Sequence, residues 1–184
     1  MSIPFEGADD GRLVNATLSG DDEAFAELVR RYKRKVMSTA SRLVGYDELD
    51  DVCQDIFMKV YGNLAGYRAD APFEHWLMRI TVRSCYDVLR KLKRERLNIP
   101  LDEIDFSLSG PESENSAQAL LAKDLLGRAM KGLKPDERLV VTLLELEEHT
   151  VKEVSELTGW SEANVKVRAF RARKALKQIL GILE

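Results

Sequence analysis

The chain has 184 residues, 45% hydrophobic and 32% charged, which is enough for one ordinary domain or two small ones in globular proportions. Glycine and proline are sparse, and the wealth of leucine, alanine, glutamate, lysine and arginine favours helices over sheets. A net charge of −3 gives no global sign of a nucleic-acid partner, two cysteines outside any CxxC pair exclude a disulfide framework, and His75 and His149 lack metal-ligand spacing.

Four helical stretches are expected in the first half. Leu13, Val14, Ala16 and Leu18 mark a short opening helix. Asp21 or Asp22 can cap the next, whose Phe25, Leu28, Val29, Tyr32, Val36, Ala40 and Leu43 recur at spacings of three and four. A third helix starts near Asp47 and carries Leu49, Val52, Ile56, Phe57 and Val60 on one side. Asp47, Glu48, Asp51 and Asp55 line its flank. Like charges at that spacing repel mildly, so the stripe has two readings of equal weight: complementation of the helix dipole, or a docking face for a basic protein.

Gly62 and Gly66 punctuate a loop that runs to Pro72, a residue suited to a helix start. The fourth helix presents Phe73, Trp76, Leu77, Ile80, Val88 and Leu92 inward. It turns basic towards its end, through Arg79, Arg83, Arg90, Lys91, Lys93, Arg94 and Arg96. Cations interleaved with aromatics suit single-stranded nucleic acid, whose bases stack on rings. Phe73 and Trp76 read as core, Tyr86 as the exposed ring. Cys53 and Cys85 read as small buried hydrophobes.

From Asn98 to Ser116 the pattern lapses. Pro100, Pro111, Gly110, serines and five carboxylates occur without one lysine or arginine, as in a solvated linker. Helices resume over Ala117 to Lys131, and again after Pro135 with Leu139, Val140, Leu143 and Leu146. Thr150 with Glu153 has capping-box spacing, Gly159 permits a left-handed turn, and Ser161 is a second cap. The last helix sets Val165, Ala169, Ala172, Leu176 and Ile179 on one face. Lys166, Arg168, Arg171, Arg173, Lys174 and Lys177 are its cations, against the single carboxylate Glu162. Ser155, Gly159 and Val165 have helix-turn-helix spacing, and a basic second helix suits the major groove. The bland alternative is a solvated helix whose cations complement its own dipole.

Three segments together resemble a family. Asp50-Asp51-Val52-Cys53-Gln54-Asp55-Ile56-Phe57 with Lys59-Val60-Tyr61 resembles the polymerase-binding helix of extracytoplasmic-function (ECF, group IV) RNA polymerase sigma factors. Phe73-Glu74-His75-Trp76-Leu77, Arg79-Ile80, Cys85-Tyr86-Asp87 and Leu89-Arg90-Lys91 resemble their −10 recognition helix. Val165-Lys166, Arg168 and Phe170-Arg171-Ala172-Arg173-Lys174 resemble their −35 recognition helix. The resemblance covers nearly the whole chain, in the family's order. It implies an all-α fold of two small helical domains: residues 10–96 for core polymerase and the −10 element, a flexible acidic linker over 97–116, and a helix-turn-helix domain over 117–184 for the −35 element.

The resemblance also implies roles. Asp47, Asp51, Gln54, Asp55 and Phe57 would dock on the β′ clamp helices of core polymerase, with the β subunit a further partner, which tips the acidic stripe towards docking. Tyr67, Arg68, Arg79, Arg83, Ser84, Asp87, Arg90 and Lys91 would meet the −10 element, captured single-stranded. Arg138, Ser161, Asn164, Lys166, Arg168, Phe170, Arg171 and Lys174 would meet the −35 duplex. An anti-sigma factor would be a regulatory partner. Ser84 stands where the family often has asparagine, Glu148 where glycine is common, and Val167 and Ala169 where serine and leucine are usual.

No catalytic residue, metal or cofactor is expected, since no phosphate loop, nucleophile motif or ligand cluster is present. With no signal peptide and no apolar run of bilayer length, the expectation is a soluble cytoplasmic protein without membrane insertion. A polymerase-independent repressor or activator, an interaction module held by a regulator, and a small nuclease built on the acidic stripe are the competing readings.

Overall fold

The computed structural model describes residue 5, residues 7–97 and residues 117–183, so nearly all of the expected linker lies outside the described residues. Among the described residues every regular element is helical. The elements are α1 (Asp10–Leu18), α2 (Asp22–Leu43), α3 (Leu49–Asn63), a 3₁₀ turn (Leu64–Gly66), α4 (Phe73–Leu97), α5 (Ala117–Gly132), α6 (Pro135–Val141), a π-helical turn (Thr142–Leu146), α7 (Val151–Thr158) and α8 (Glu162–Leu183). The chain divides into two compact units, Met1–Cys85 and Tyr86–Glu184, with the division inside the continuous α4.

In the first unit the apolar positions at helical spacing are the ones buried: Leu13, Leu28, Val36, Leu43, Ile56, Val60, Leu64, Leu77 and Val82. Asp9 caps α1, and Asp21 caps α2 by accepting from the amides of Glu23 and Ala24 at 3.0 and 3.3 Å. α3 starts at Leu49, two residues later than the acidic run implied. Asp47 therefore lies in the preceding turn, and only Asp50 and Asp51 occupy the first helical turn.

A buried charge network ties α1 to α2. The Glu27 side chain is only 2% exposed and accepts from Arg30 Nε at 2.7 Å and Arg31 Nε at 2.7 Å. Arg31 also donates to the Ala8 carbonyl at 2.6 Å, and Tyr32 donates to Asp10 at 2.5 Å. The hydrogen bonds from Arg30 and then Arg31 hold the Glu27 carboxyl down at about 2, against an ordinary 4.5. A carboxyl depressed on folding contributes stability that is present above its unfolded value and lost as pH falls towards the folded one. The stability gap between wild type and Glu27→Gln, read from urea unfolding, should therefore close between pH 4.5 and about 2. A gap unchanged across that window would remove the network from the pH dependence.

In the second unit α8 packs against α5, α6 and α7. Met130, Leu133, Val141 and Ala172 form a core cluster, flanked by Ala175, Leu176 and Ile179. Gly132 permits the close approach of α5 and α8, because a Cβ there would sit 3.0 Å from Ile179 Cδ1. Pro135 opens α6 as expected, but the helix widens into the π turn at Thr142–Leu146, where the periodicity had implied an unbroken α-helix. Glu148, just after it, takes a left-handed φ of 56°. That is a glycine conformation, and glycine is the residue the resemblance makes usual there.

Candidate docking groove and nucleic-acid interfaces

Three surfaces gather the residues singled out in the sequence. The first is an apolar groove of about 540 Å³ between α2 and α3. Phe25, Val29, Lys33 and Met37 line it from α2, and Asp50, Cys53, Gln54, Phe57, Met58 and Tyr61 from α3. Asp51 and Asp55 are exposed on α3 outside its lining, Gln54 is exposed within the lining, and Phe57 is half-buried there. Asp55 pairs with Lys59 one turn on, at 2.7 Å. Met58 is 67% exposed and Tyr61 48%, an unusual outlay of apolar surface. The Tyr61 ring meets Phe25 edge-on, with centroids 4.9 Å apart.

Met58, Tyr61 and Phe25 were missed as docking candidates. The signal was present for the first two, because residues 51, 54, 58 and 61 continue one ridge at spacings of three and four. Cys53 lines the groove, and burial pushes its thiol upward, with Asp50 adding to the shift. Cys85 is fully buried and is pushed up to about 12 by burial first and Cys53 second. Both thiols are therefore poor thiolates, in keeping with a packing role.

The second surface is a polar cleft of about 320 Å³ between the loop at residues 66–71 and the start of α4. Tyr67, Trp76, Arg68, Arg79 and Arg83 are among its walls, with Asp70 and His75. The rings form a continuous cluster: Tyr67 lies edge-on to Phe73 at 5.4 Å, and Trp76 stands 5.5 Å from Tyr67. The Tyr67 hydroxyl donates to the Ala71 carbonyl at 2.9 Å and so braces the loop. Ala69 at its tip has a φ of 58°, a left-handed conformation for a residue with a Cβ. Arg79, Arg83, Asp87 and Arg90 are all exposed at spacings of four, four and three, one stripe along α4. Lys91 is exposed beside it and near Glu95, at 3.8 Å.

Ser84 departs from its expected place. It is only 3% exposed, lies on the buried stripe next to Cys85, and its hydroxyl accepts from Lys59 Nζ at 3.2 Å. Tyr86 is half-buried rather than fully exposed, with the Arg90 guanidinium 5.8 Å from its ring centre. Phe73 is core, at 2% exposure, whereas Trp76 is half-buried on the cleft.

The third surface is the corner made by α7 and α8. Thr150 caps α7 in a capping box: its hydroxyl accepts from the Glu153 amide at 3.2 Å, and Glu153 accepts from the Thr150 amide at 2.7 Å. Gly159 ends α7 at φ 80°. Ser155 donates to the Trp160 carbonyl at 2.5 Å, and Ser161 accepts from the Asn164 amide at 3.3 Å to start α8. Val154, Leu157, Val165, Ala169 and Ala172 are buried between the two helices and α6. Ser161, Asn164, Lys166, Phe170, Arg171 and Lys174 are left exposed.

Arg168 behaves differently from the other cations of α8. Its guanidinium lies 4.2 Å from the Trp160 ring centre and its Nε 3.4 Å from Asp136, so it braces the turn from the inner side. Arg138 is half-buried in α6, and Arg173 is tied to Glu145 at 2.6 Å. Among the described residues no group of three or more His, Cys, Asp or Glu side chains could hold a metal, and no helix is long and apolar enough to cross a membrane.

These surfaces coincide with recognised families. The Sigma-70 region 2 model matches residues 28–95, and the Sigma-70 region 4 model residues 123–176. The chain is 33% identical to the ECF RNA polymerase sigma-E factor of Escherichia coli K12 over 172 residues, which is 89% of this chain and 90% of that one. It is 31% identical to the ECF RNA polymerase sigma factor SigM of Mycobacterium tuberculosis, over 95% of this chain and 86% of that one. Among solved structures, CnrH in complex with the cytosolic domain of CnrY aligns with a TM-score of 0.61 at 25% identity, covering 94% of this chain and 97% of that one. Sigma factor RpoE in complex with the anti-sigma factor NepR, from Bartonella quintana, aligns at 0.62 and 20% identity over 86% and 97%, a likeness of fold.

Proposed function

Because this chain belongs to the ECF RNA polymerase sigma factors, we propose that it acts as a group IV member that confers promoter specificity on bacterial core polymerase and leaves catalysis to the polymerase. Matches to regions 2 and 4, together with relatives that are themselves ECF sigma factors, support this reading. The observation that carries the reading is the separation of three chemically distinct surfaces, each suited to one task.

Residues 10–96 serve as the domain for core polymerase and the −10 element, 97–116 as the linker, and 117–184 as the −35 domain. The acidic ridge of Asp51, Gln54 and Asp55, with the groove holding Phe57, docks on the β′ clamp helices, and Asp47 flanks it from the turn. An apolar centre rimmed by charge is the anatomy of a protein interface. The cleft of Tyr67, Arg68, Trp76, Arg79 and Arg83 takes an unstacked base of the −10 strand, and Asp87, Arg90 and Lys91 continue the track along α4. Ser84 acts from beneath, by holding Lys59. Base capture offsets the cost of unstacking, so melting needs no chemistry by this chain. α8 enters the −35 major groove with Asn164, Lys166, Phe170 and Arg171, while Lys174 and Arg138 serve phosphates and Ser161 caps the helix. Arg168 positions the turn.

The two structural neighbours bound to partner proteins support an anti-sigma factor as regulator, and a promoter-specificity subunit would act in the cytoplasm. Run-off transcription from genomic fragments tests the whole reading. Core polymerase with this chain should start discrete transcripts that core alone does not, and Arg171→Ala should weaken them. Duplex footprinting by the chain alone, with no polymerase association and no transcript, would favour a repressor or activator instead.

A further inference from the structure

Resting on the −35 reading, we propose that Val167 is a specificity-determining residue that recognises the C5-methyl group of a thymine in the −35 major groove. Val165, Ala169 and Ala172 are 0, 3 and 0% exposed and define the inner face of α8. At about 100° per residue, positions 163, 167, 170 and 174 fall on the opposite side. There Val167 is 47% exposed and Phe170 69%. The two are neighbours at i and i+3 on one ridge. Lys166, Arg171 and Lys174, all exposed, surround them.

A solvated helix face has no use for two large apolar side chains at its centre. The cations around them select a polyanion as the occupant, and the turn ahead of α8 presents the helix's N-terminal half, where Val167 lies. Base-pair edges in the major groove offer donors and acceptors, with a single apolar group, the methyl of thymine. Val167 offers no hydrogen bond. Against any other edge it would desolvate a donor or acceptor and leave it unpaired, whereas against thymine it gains an apolar contact. Its short side chain needs close approach, and Phe170, one turn on, shields that contact from water.

The test uses holoenzyme assembled from core polymerase and the full chain. A −35 sequence is first selected from duplexes randomised in that segment. Each thymine in it is then replaced singly by deoxyuridine, which deletes only the methyl group. Wild-type holoenzyme should lose about four-fold in promoter affinity at one position, the factor expected for one methyl withdrawn from an apolar contact. Holoenzyme carrying Val167→Ser should bind the thymine and deoxyuridine duplexes equally there. Val167 is exposed and not part of the core, so the variant keeps the fold. Equal binding of thymine and deoxyuridine at every position by wild type, or undiminished discrimination by Val167→Ser, overturns the inference alone, provided Arg171→Ala still weakens binding. If the holoenzyme selects no −35 sequence and starts no transcript, the −35 reading and this inference fall together.

Discussion

Asp51→Arg combined with Asp55→Arg should weaken association with core polymerase by at least about 30-fold, corresponding to roughly 2 kcal/mol or more at an interface hot spot. Both carboxylates are exposed on the ridge beside the α2–α3 groove, so the reversal places two cations where a basic partner is to dock. Repulsion between like charges at an interface costs several kcal/mol, far more than either residue contributes to folding. Asp55 pairs with the half-buried Lys59, a contact worth about 0.2–1 kcal/mol, and Asp51 gives up a similar helix-dipole term. The variant should therefore keep its helicity by circular dichroism while losing co-elution with core polymerase. Met58→Ala should deepen the loss, because Met58 extends the same ridge at 67% exposure. Unchanged co-elution of the double reversal would remove α3 as the docking helix and return the acidic stripe to simple dipole complementation.

Arg79→Glu with Arg83→Glu should reduce promoter opening on the order of 100-fold, because capture of an unstacked base is worth roughly 1–3 kcal/mol and both arginines border the cleft that would hold it. On this reading the guanidiniums would neutralise the strand's phosphates while Trp76 and Tyr67 would offer ring surface. Both arginines are exposed on α4, so the reversal spares the core. Permanganate reactivity of thymines near the −10 element would read the opening directly. On a template already unpaired across that element, part of the initiation should return, since the unpairing cost no longer falls on base capture. A variant that opens duplex promoters as well as wild type would show that the cleft does not hold the melted strand.

Much of this architecture was written in short stretches of chain. The caps at Asp21, Thr150 and Ser161 and the left-handed Gly159 each rest on a few adjacent residues, and all occur as the local pattern implied. The buried faces of α2 and α8 follow from the 3.6-residue period. Residue type and resemblance set Ser84 and Arg168 on the nucleic-acid faces, and the structure turns both inward. A helix steps about 100° per residue, so whether a polar side chain beside an apolar stripe faces solvent depends on what its neighbours offer. Lys59 satisfies the Ser84 hydroxyl, whereas the Arg168 guanidinium is held by stacking on Trp160 and by the charge of Asp136, its buried Nε making no hydrogen bond.

The same division holds for the sites. Sequence by itself determined the helices, the caps at Asp21, Thr150 and Ser161, the order of the three motifs and the charges that each surface carries, because those depend on neighbours within about one helical turn. Tertiary structure alone decided the α2–α3 groove, to which Phe25 comes from a separate helix, and the cleft that joins Tyr67 to Arg83. It alone also decided the π turn before Glu148 and the charge network that ties Arg31 to residues more than twenty positions away. Those features depend on which side chains come within a few ångströms of each other across separate elements, and packing, not periodicity, sets that.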